Sequence, residues 1–214
     1  MIHLHSFTFG PFQENTYLLW DETFNCLIID PGNSNASENK KLSDFVSEKK
    51  LKPVRLLLTH AHIDHINGNK YVLDTYGLLP EVHRDEVFFI ENHAVTGVMY
   101  GLPVDPSPMA EKFIEEGDMI LFGNSKLHVV HTPGHAPGHV TFYNKEEGFM
   151  ISGDVLFYGS VGRSDLPMGD HDTLIRSIKN KLFPLGDDIK VYSGHGPVTT
   201  IGFERMNNPF LNET

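Results

Sequence analysis

The chain has 214 residues, 40% of them hydrophobic, and its 28 Asp and Glu against 17 Lys and Arg give a formal net charge of -11. That negative excess argues against a nucleic-acid partner, which would be repelled through its phosphates, and no apolar stretch approaches the roughly 18 residues of a membrane span. The length suits a single domain over 1–214. The lone cysteine, Cys26, has no internal partner for a disulfide, and MIHLHSFTFG has neither the basic leader nor the apolar run of an export signal, so a cytoplasmic location is expected.

From Ile2 to Asp30, the runs HLHSFTF, NTYLLW and CLIID have strand length, and the first two alternate apolar and polar residues as half-buried strands do. Gly10-Pro11 and Pro31-Gly32 mark turns. Between Ser37 and Lys50, Leu42, Phe45 and Val46 share one face among charges, the stripe of a helix packed on an apolar surface. VRLLLT reads as the next strand, INGNKYVLDTYG as a helix closed by Gly77, and PEVHRDEVFFIENH as a short strand followed by a helix. Ala94 to Met109 has no clean period and is broken by glycine and proline, so a loop over the site is expected there. MILFG, KLHVVHT, HVTFYN and FMISGD read as strands, followed by a helix around Thr173 to Leu182, the strand IKVYSG, and a last helix near Thr200 to Asn207. Strands and helices in both halves point to a layered α/β architecture.

The stretch LLLTHAHIDHING sets four ligand-type side chains in six residues at the end of a buried strand. His60 and His62, spaced i, i+2, project to the same side of an extended strand end and suit one shared ion. Asp64 and His65 lie where the chain turns into a helix, so they can reach a second ion nearby. Burying these groups without a cation would leave unpaired polar atoms and a charged carboxylate. Three further strand ends present a ligand-type residue directly after glycine: His135 in TPGH, Asp154 in SGD and His195 in SGH. A missing side chain there lets the backbone come close to a bound ion. His139 is expected to support a ligand from behind. His3, His5, His83, His93, His128, His131 and His171 have no ligand-type context, and Asp30 is open between a supporting role and capping its own turn.

The segments THAHIDH, TPGHAPGH, SGD, GRSDLPMGD and YSGHGPVTTIG resemble the metallo-β-lactamase superfamily, most of all its small bacterial glyoxalase II-type hydrolases, over nearly the whole chain. The resemblance implies a four-layer αββα sandwich with metals at one edge of two sheets. It implies a first ion on His60, His62 and His135, a second on Asp64, His65 and His195, and Asp154 bridging. It also implies hydrolysis of a small-molecule hydroxyacyl thioester, such as S-lactoylglutathione, to a hydroxy acid and a free thiol.

Chemistry alone leads to a compatible reaction. Two divalent ions roughly 3.5 to 4 Å apart can hold a hydroxide at neutral pH and polarise a carbonyl, so no serine or cysteine nucleophile is needed. A thiol of reference pKa near 8.5 leaves without a strong general acid. Histidine and carboxylate ligands accommodate zinc, iron or manganese, with zinc expected first. Too few residues follow His195 for the C-terminal helical domain with which larger glyoxalase II enzymes hold glutathione, and Gly196-Pro197 stand where those enzymes show a tyrosine. The thiol carrier therefore stays open, as does the oligomeric state. Arg163 is either a bidentate anchor for a substrate carboxylate or the partner of Asp165 or Asp170.

Three other readings fit the sequence less well. Persulfide dioxygenases of the same superfamily, which use one iron, look less like this chain around GHGP. Zinc β-lactamases commonly place a cysteine where Asp154 stands. A non-catalytic metal-binding module fits poorly, because structural zinc sites are closed and four-coordinate.

Overall fold

The fold is taken from a computed structural model that describes residues 1–212. The chain forms two compact units: Met1–Ile114 with Leu121–Lys126, and Glu115–Ile120 with the chain from Leu127 onward. The expectation of a single domain ran to residue 214, and its last two positions lie outside the described residues.

The first unit holds a six-stranded sheet in sequence order: β1 (His3–Phe9), β2 (Glu14–Trp20), β3 (Asn25–Ile29), β4 (Lys52–Leu57), β5 (Pro80–Val82) and β6 (Lys112–Phe113). β1, β2 and β3 pair antiparallel, and β3 to β6 pair parallel. Parallel neighbours need crossovers, supplied by α1 (Ala36–Glu48), then α2 (Ile63–Ile66) and α3 (Asn69–Tyr76), then α4 (Val87–Glu91) and α5 (His93–Tyr100). The Asn35 side chain caps α1 by accepting from Glu38 N, and the expected stripe buries Leu42 and Val46 among Phe9, Leu18, Cys26, Ile28 and Leu56.

Three expectations need correcting. β2 is buried along nearly its whole length instead of alternating, because it lies between β1 and β3 with Glu14 and Thr16 bonded to each other inside. The helix expected from Ile66 to Gly77 begins only at Asn69: Ile66 ends the separate helix α2, and Gly68 N, between the two, donates to Pro31 O at 2.7 Å. Ala94 to Met109 is not all loop: α5 runs through His93–Tyr100 and ends on Gly101 at φ 67. Two features hid it. Gly97 marks a close approach of Val104 rather than a break, and Val95, Val98, Met99 and Tyr100 are exposed, which blurs the amphipathic pattern.

In the second unit the strands are β7 (Met119–Phe122), β8 (Ser125–His131), β9 (Val140–Asn144), β10 (Phe149–Gly153), the small pair β11 (Leu156–Phe157) and β12 (Ser160–Val161), β13 (Lys190–Ser193) and β14 (Thr199–Thr200). The six-stranded sheet runs β14-β13-β10-β9-β8-β7, with β10 and β13 parallel. The turn between β7 and β8 belongs to the first unit, where Asn124 N and Ser125 Oγ donate to the Asp21 carboxylate. α6 (His171–Ser177) begins two residues ahead of expectation because Asp170 caps Thr173 N at 2.7 Å, and a π-helical stretch, Ile178–Leu182, continues it. α7 (Ile201–Asn207), capped by Thr200, and α8 (Pro209–Asn212) close the chain. Met150, Leu174, Ile178, Leu182, Val191 and Ile201 share this unit's core. Among the described residues no helix is long and apolar enough to cross a membrane.

His93 anchors α5. Its Nδ1 accepts from Ser107 N at 3.0 Å, so the proton sits on Nε2, which faces Asn67 Oδ1 at 3.1 Å. Burial lowers its pKa from 6.5 to about 4. Only the unfolded chain takes up this proton in that window, so the contribution to stability is complete above pH 6.5 and is lost as pH falls toward 4. Denaturant titrations should show this as up to about 1.4 kcal/mol per pH unit, a dependence that His93→Gln removes.

Candidate metal centre

β4 delivers the fully buried Leu56, Leu57 and Leu58 into Thr59 and His60, beside the end of β3 at Asp30. Asp30 adopts a left-handed φ of 50°, a region that Asp tolerates better than most residues. Its carboxylate accepts from Thr59 N at 2.7 Å and Thr59 Oγ1 at 2.6 Å. Having given its proton to Asp30, the Thr59 hydroxyl accepts from His60 Nδ1 at 3.0 Å, which makes Nε2 the lone-pair nitrogen of His60. The same Asp30 Oδ2 stands 3.1 Å from His65 Nδ1 and favours the same tautomer there. Asp30 therefore supports the histidines, the alternative its sequence context had left open.

His62 is the N-cap of α2, which then carries Asp64 and the fully buried His65. Gly32 lies against Asp64 O: a Cβ at residue 32 would come within 2.7 Å of it. The ring of His62 meets Phe89 of α4 edge-on, with centroids 5.0 Å apart.

Two buried carboxylates here had not been singled out. Glu14 Oε2 accepts from Thr16 Oγ1 at 2.8 Å, Glu14 Oε1 lies 4.0 Å from His65 Nδ1, and burial pushes this carboxyl's pKa well up. Glu14, Asp30 and His65 offer ligand-type atoms within 4.8 Å of one another. Glu86 Oε2 accepts from Ala61 N, between His60 and His62, at 2.8 Å. The available signal was a glutamate inside an apolar strand pattern, ENTYLLW, and another opening the apolar run EVFFI.

The second unit gathers the other three candidates. Gly134, at φ 133, passes close to the Leu174 backbone and leads into His135. The Nδ1 of His135 donates to Arg163 O at 2.6 Å. Asp154 follows Gly153 at φ 48, and its N–H donates to Nε2 of the fully buried His139, whose Nδ1 then donates to Thr132 Oγ1. His139 thus stands behind a candidate ligand, as expected. Since β10 and β13 run parallel, Asp154 and His195 leave the same end of the sheet. Asp154 Oδ2 is 3.6 Å from His135 Nε2 and 3.4 Å from His195 Nε2. Those separations are long for hydrogen bonds. They match donors sharing an ion, which stand roughly 3.3 to 3.4 Å apart when each is about 2.0 to 2.1 Å from a tetrahedral centre.

The first unit therefore brings together His60, His62, Asp64 and His65, and the second His135, Asp154 and His195. In His60 and His135 an oxygen is bonded at Nδ1, which leaves the lone pair on Nε2, the usual arrangement of ligating histidines, and Asp30 Oδ2 stands 3.1 Å from Nδ1 of His65. The donor sets suit divalent cations. Arg163 forms a bidentate pair with Asp165, both contacts 2.8 Å, while Asp170 caps α6. No sequence signal revealed that the Arg163 carbonyl would hold His135. The remaining histidines have structural contacts, such as His131 Nε2 with Pro137 O at 2.8 Å and His5 stacked on Phe45 at 4.1 Å.

A profile of the Metallo-beta-lactamase superfamily matches residues 9–195. The Haemophilus influenzae protein named Hydroxyacylglutathione hydrolase GloC is 39% identical over 203 residues, 94% of each chain. The crystal structure of BLEG-1 B3 metallo-beta-lactamase superposes with a TM-score of 0.90 at 38% identity, over 99% of this chain and 100% of that one. That of TTHA1623 in a di-iron-bound form gives 0.88 at 40% identity, over 97% and 100%.

A Cβ on Gly162 would collide with the Asp154 carbonyl and come within 3.4 Å of His135 Cβ. Gly162→Ala is therefore expected to cost about 1 to 3 kcal/mol of stability and to lower the metal retained after dialysis, measured by melting and elemental analysis.

Proposed function

This chain belongs to the metallo-β-lactamase superfamily, and on that premise we propose that it hydrolyses a small hydroxyacyl thioester, of which S-lactoylglutathione is the first to test. The family makes it a metal-dependent hydrolase with the two-sheet α/β fold described above. The proposed ligands are His60, His62 and His135 for one ion and Asp64, His65 and His195 for the other, with Asp154 bridging. Each triad is a set of three donors suited to one divalent cation. Residues 1–214 are proposed to work as one hydrolase domain with a cytoplasmic location.

The observation that carries this reading is the common orientation of His60 and His135, each with an oxygen bonded at Nδ1 so that Nε2 keeps the lone pair, with Asp30 Oδ2 3.1 Å from Nδ1 of His65. When bound, two divalent ions supply a water of lowered pKa and a Lewis acid for the carbonyl. Zinc is the first candidate, and iron the second given the di-iron form of TTHA1623. The protein's part is to orient. Asp30 fixes two imidazoles through Thr59 and directly, and His139 holds the peptide of Asp154. Cys26 cannot serve as nucleophile, being buried with its thiol pKa pushed up to about 12 by desolvation. A thioester suits such a site because thiolate departs without a general acid.

Arg163 and Asp165 are both exposed, and an exposed ion pair contributes little to stability. A substrate carboxylate could take the place of Asp165 at little cost. Arg163→Ala is then expected to raise KM roughly tenfold with kcat unchanged; an unaltered KM would leave the guanidinium to Asp165 alone.

Purified protein with two ions per chain should turn over S-lactoylglutathione and lose activity to a chelator. Asp64→Ala and His65→Ala should each remove one ion and lower kcat/KM by at least about 100-fold. Wild-type turnover in both variants would overturn the two-ion mechanism. The likeness to BLEG-1 favours a second reading, cleavage of a β-lactam amide; β-lactam turnover by the same sample, with none of the thioester, would select it.

A further inference from the structure

Resting on that two-ion reading, we propose that Glu86 is a positioning residue for the first ion: its buried carboxylate sets the His60–Ala61–His62 turn through the Ala61 N–H. Glu86 is fully buried and accepts that N–H at 2.8 Å. Burying a carboxylate is costly unless it is hydrogen-bonded, so an apolar residue would fill the space more cheaply if packing were its whole purpose. Ala61 is the one residue between the two histidines. Fixing its peptide plane fixes the backbone from which both imidazoles project.

The segment around Glu86 reinforces the effect. The 3-10 turn Arg84–Glu86 leads directly into α4, whose Phe89 meets the His62 ring edge-on. Ile90, one residue later, packs with Leu58, Ala61, Ile66 and Val82 in a single cluster. Residues 84–90 thus back the turn with the Glu86–Ala61 hydrogen bond and an apolar wall. His65 is held differently, facing Asp30 at 3.1 Å and Glu14 at 4.0 Å. Loss of Glu86 should therefore weaken one ion and spare the other.

The test is stepwise Zn2+ titration of wild type, Glu86→Ala and Glu86→Gln by calorimetry, with NMR of the histidine rings in the metal-free proteins. Glu204→Ala serves as control: that glutamate is also fully buried, but it bonds Thr199, Gly159 and Asn208. Glu86→Ala should weaken one of two Zn2+ ions by about 10- to 100-fold, leave the other unchanged, and shift the His60 and His62 ring signals. Glu86→Gln should behave as wild type, because its amide oxygen can accept the same N–H. Glu204→Ala should lower Tm without altering either Zn2+ affinity. If Glu86→Ala does not fold, Glu86→Asp, one methylene too short, should give the same selective loss. Equal weakening of both ions, or unchanged His60 and His62 signals, would overturn the proposal. Wild-type protein that takes up no Zn2+ would instead overturn the two-ion reading, and the ring signals alone would then decide the role of Glu86.

Discussion

A buried carboxylate has to be satisfied, and Asp30 is satisfied by the very groups that organise the site. It accepts two hydrogen bonds from Thr59 and stands against His65. Through the Thr59 hydroxyl it also determines which nitrogen of His60 carries the proton. A charge that would be costly alone becomes the reference for two imidazoles, because each bond removes one orientation the rings could otherwise take. The left-handed backbone at Asp30 is the local strain that accompanies this arrangement.

The same economy recurs in the second unit with backbone groups in place of a carboxylate. The Arg163 carbonyl holds His135, the Asp154 N–H is held by His139, and Gly194 N donates to Gly153 O at 2.8 Å. Gly134 passes against the Leu174 backbone and Gly162 against the Asp154 carbonyl, and Gly134 and Gly153 take a positive φ. The candidate ligands sit on short segments with little freedom, which suits a centre that must accept ions without rearranging.

Much of this was legible in the sequence, for identifiable reasons. Strand runs such as HLHSFTF and FMISGD are bounded by turn residues, and ligand-type residues directly after glycine stand out against apolar strands. Helix α5 was not legible, because its exposed Val98 and Met99 break the periodic signal and its internal Gly97 reads as a stop when it is a packing contact. Glu14 and Glu86 were missed because a glutamate is normally a surface residue, and only tertiary contact shows that these two face inward. The Arg163 carbonyl could not be found by any pattern of side chains, since it acts through its backbone.

The position of Cys26 bears on how the protein would meet free thiols. A thioester hydrolase releases a free thiol at every turnover, and such thiols, once oxidised, form mixed disulfides with any accessible thiolate. This chain carries one sulfhydryl, placed within the β-sheet core of its first unit and kept protonated to about pH 12. Under the proposed thioester reading, the protein is chemically inert toward the thiol it would release, and its activity should be indifferent to the redox state of the surrounding thiols.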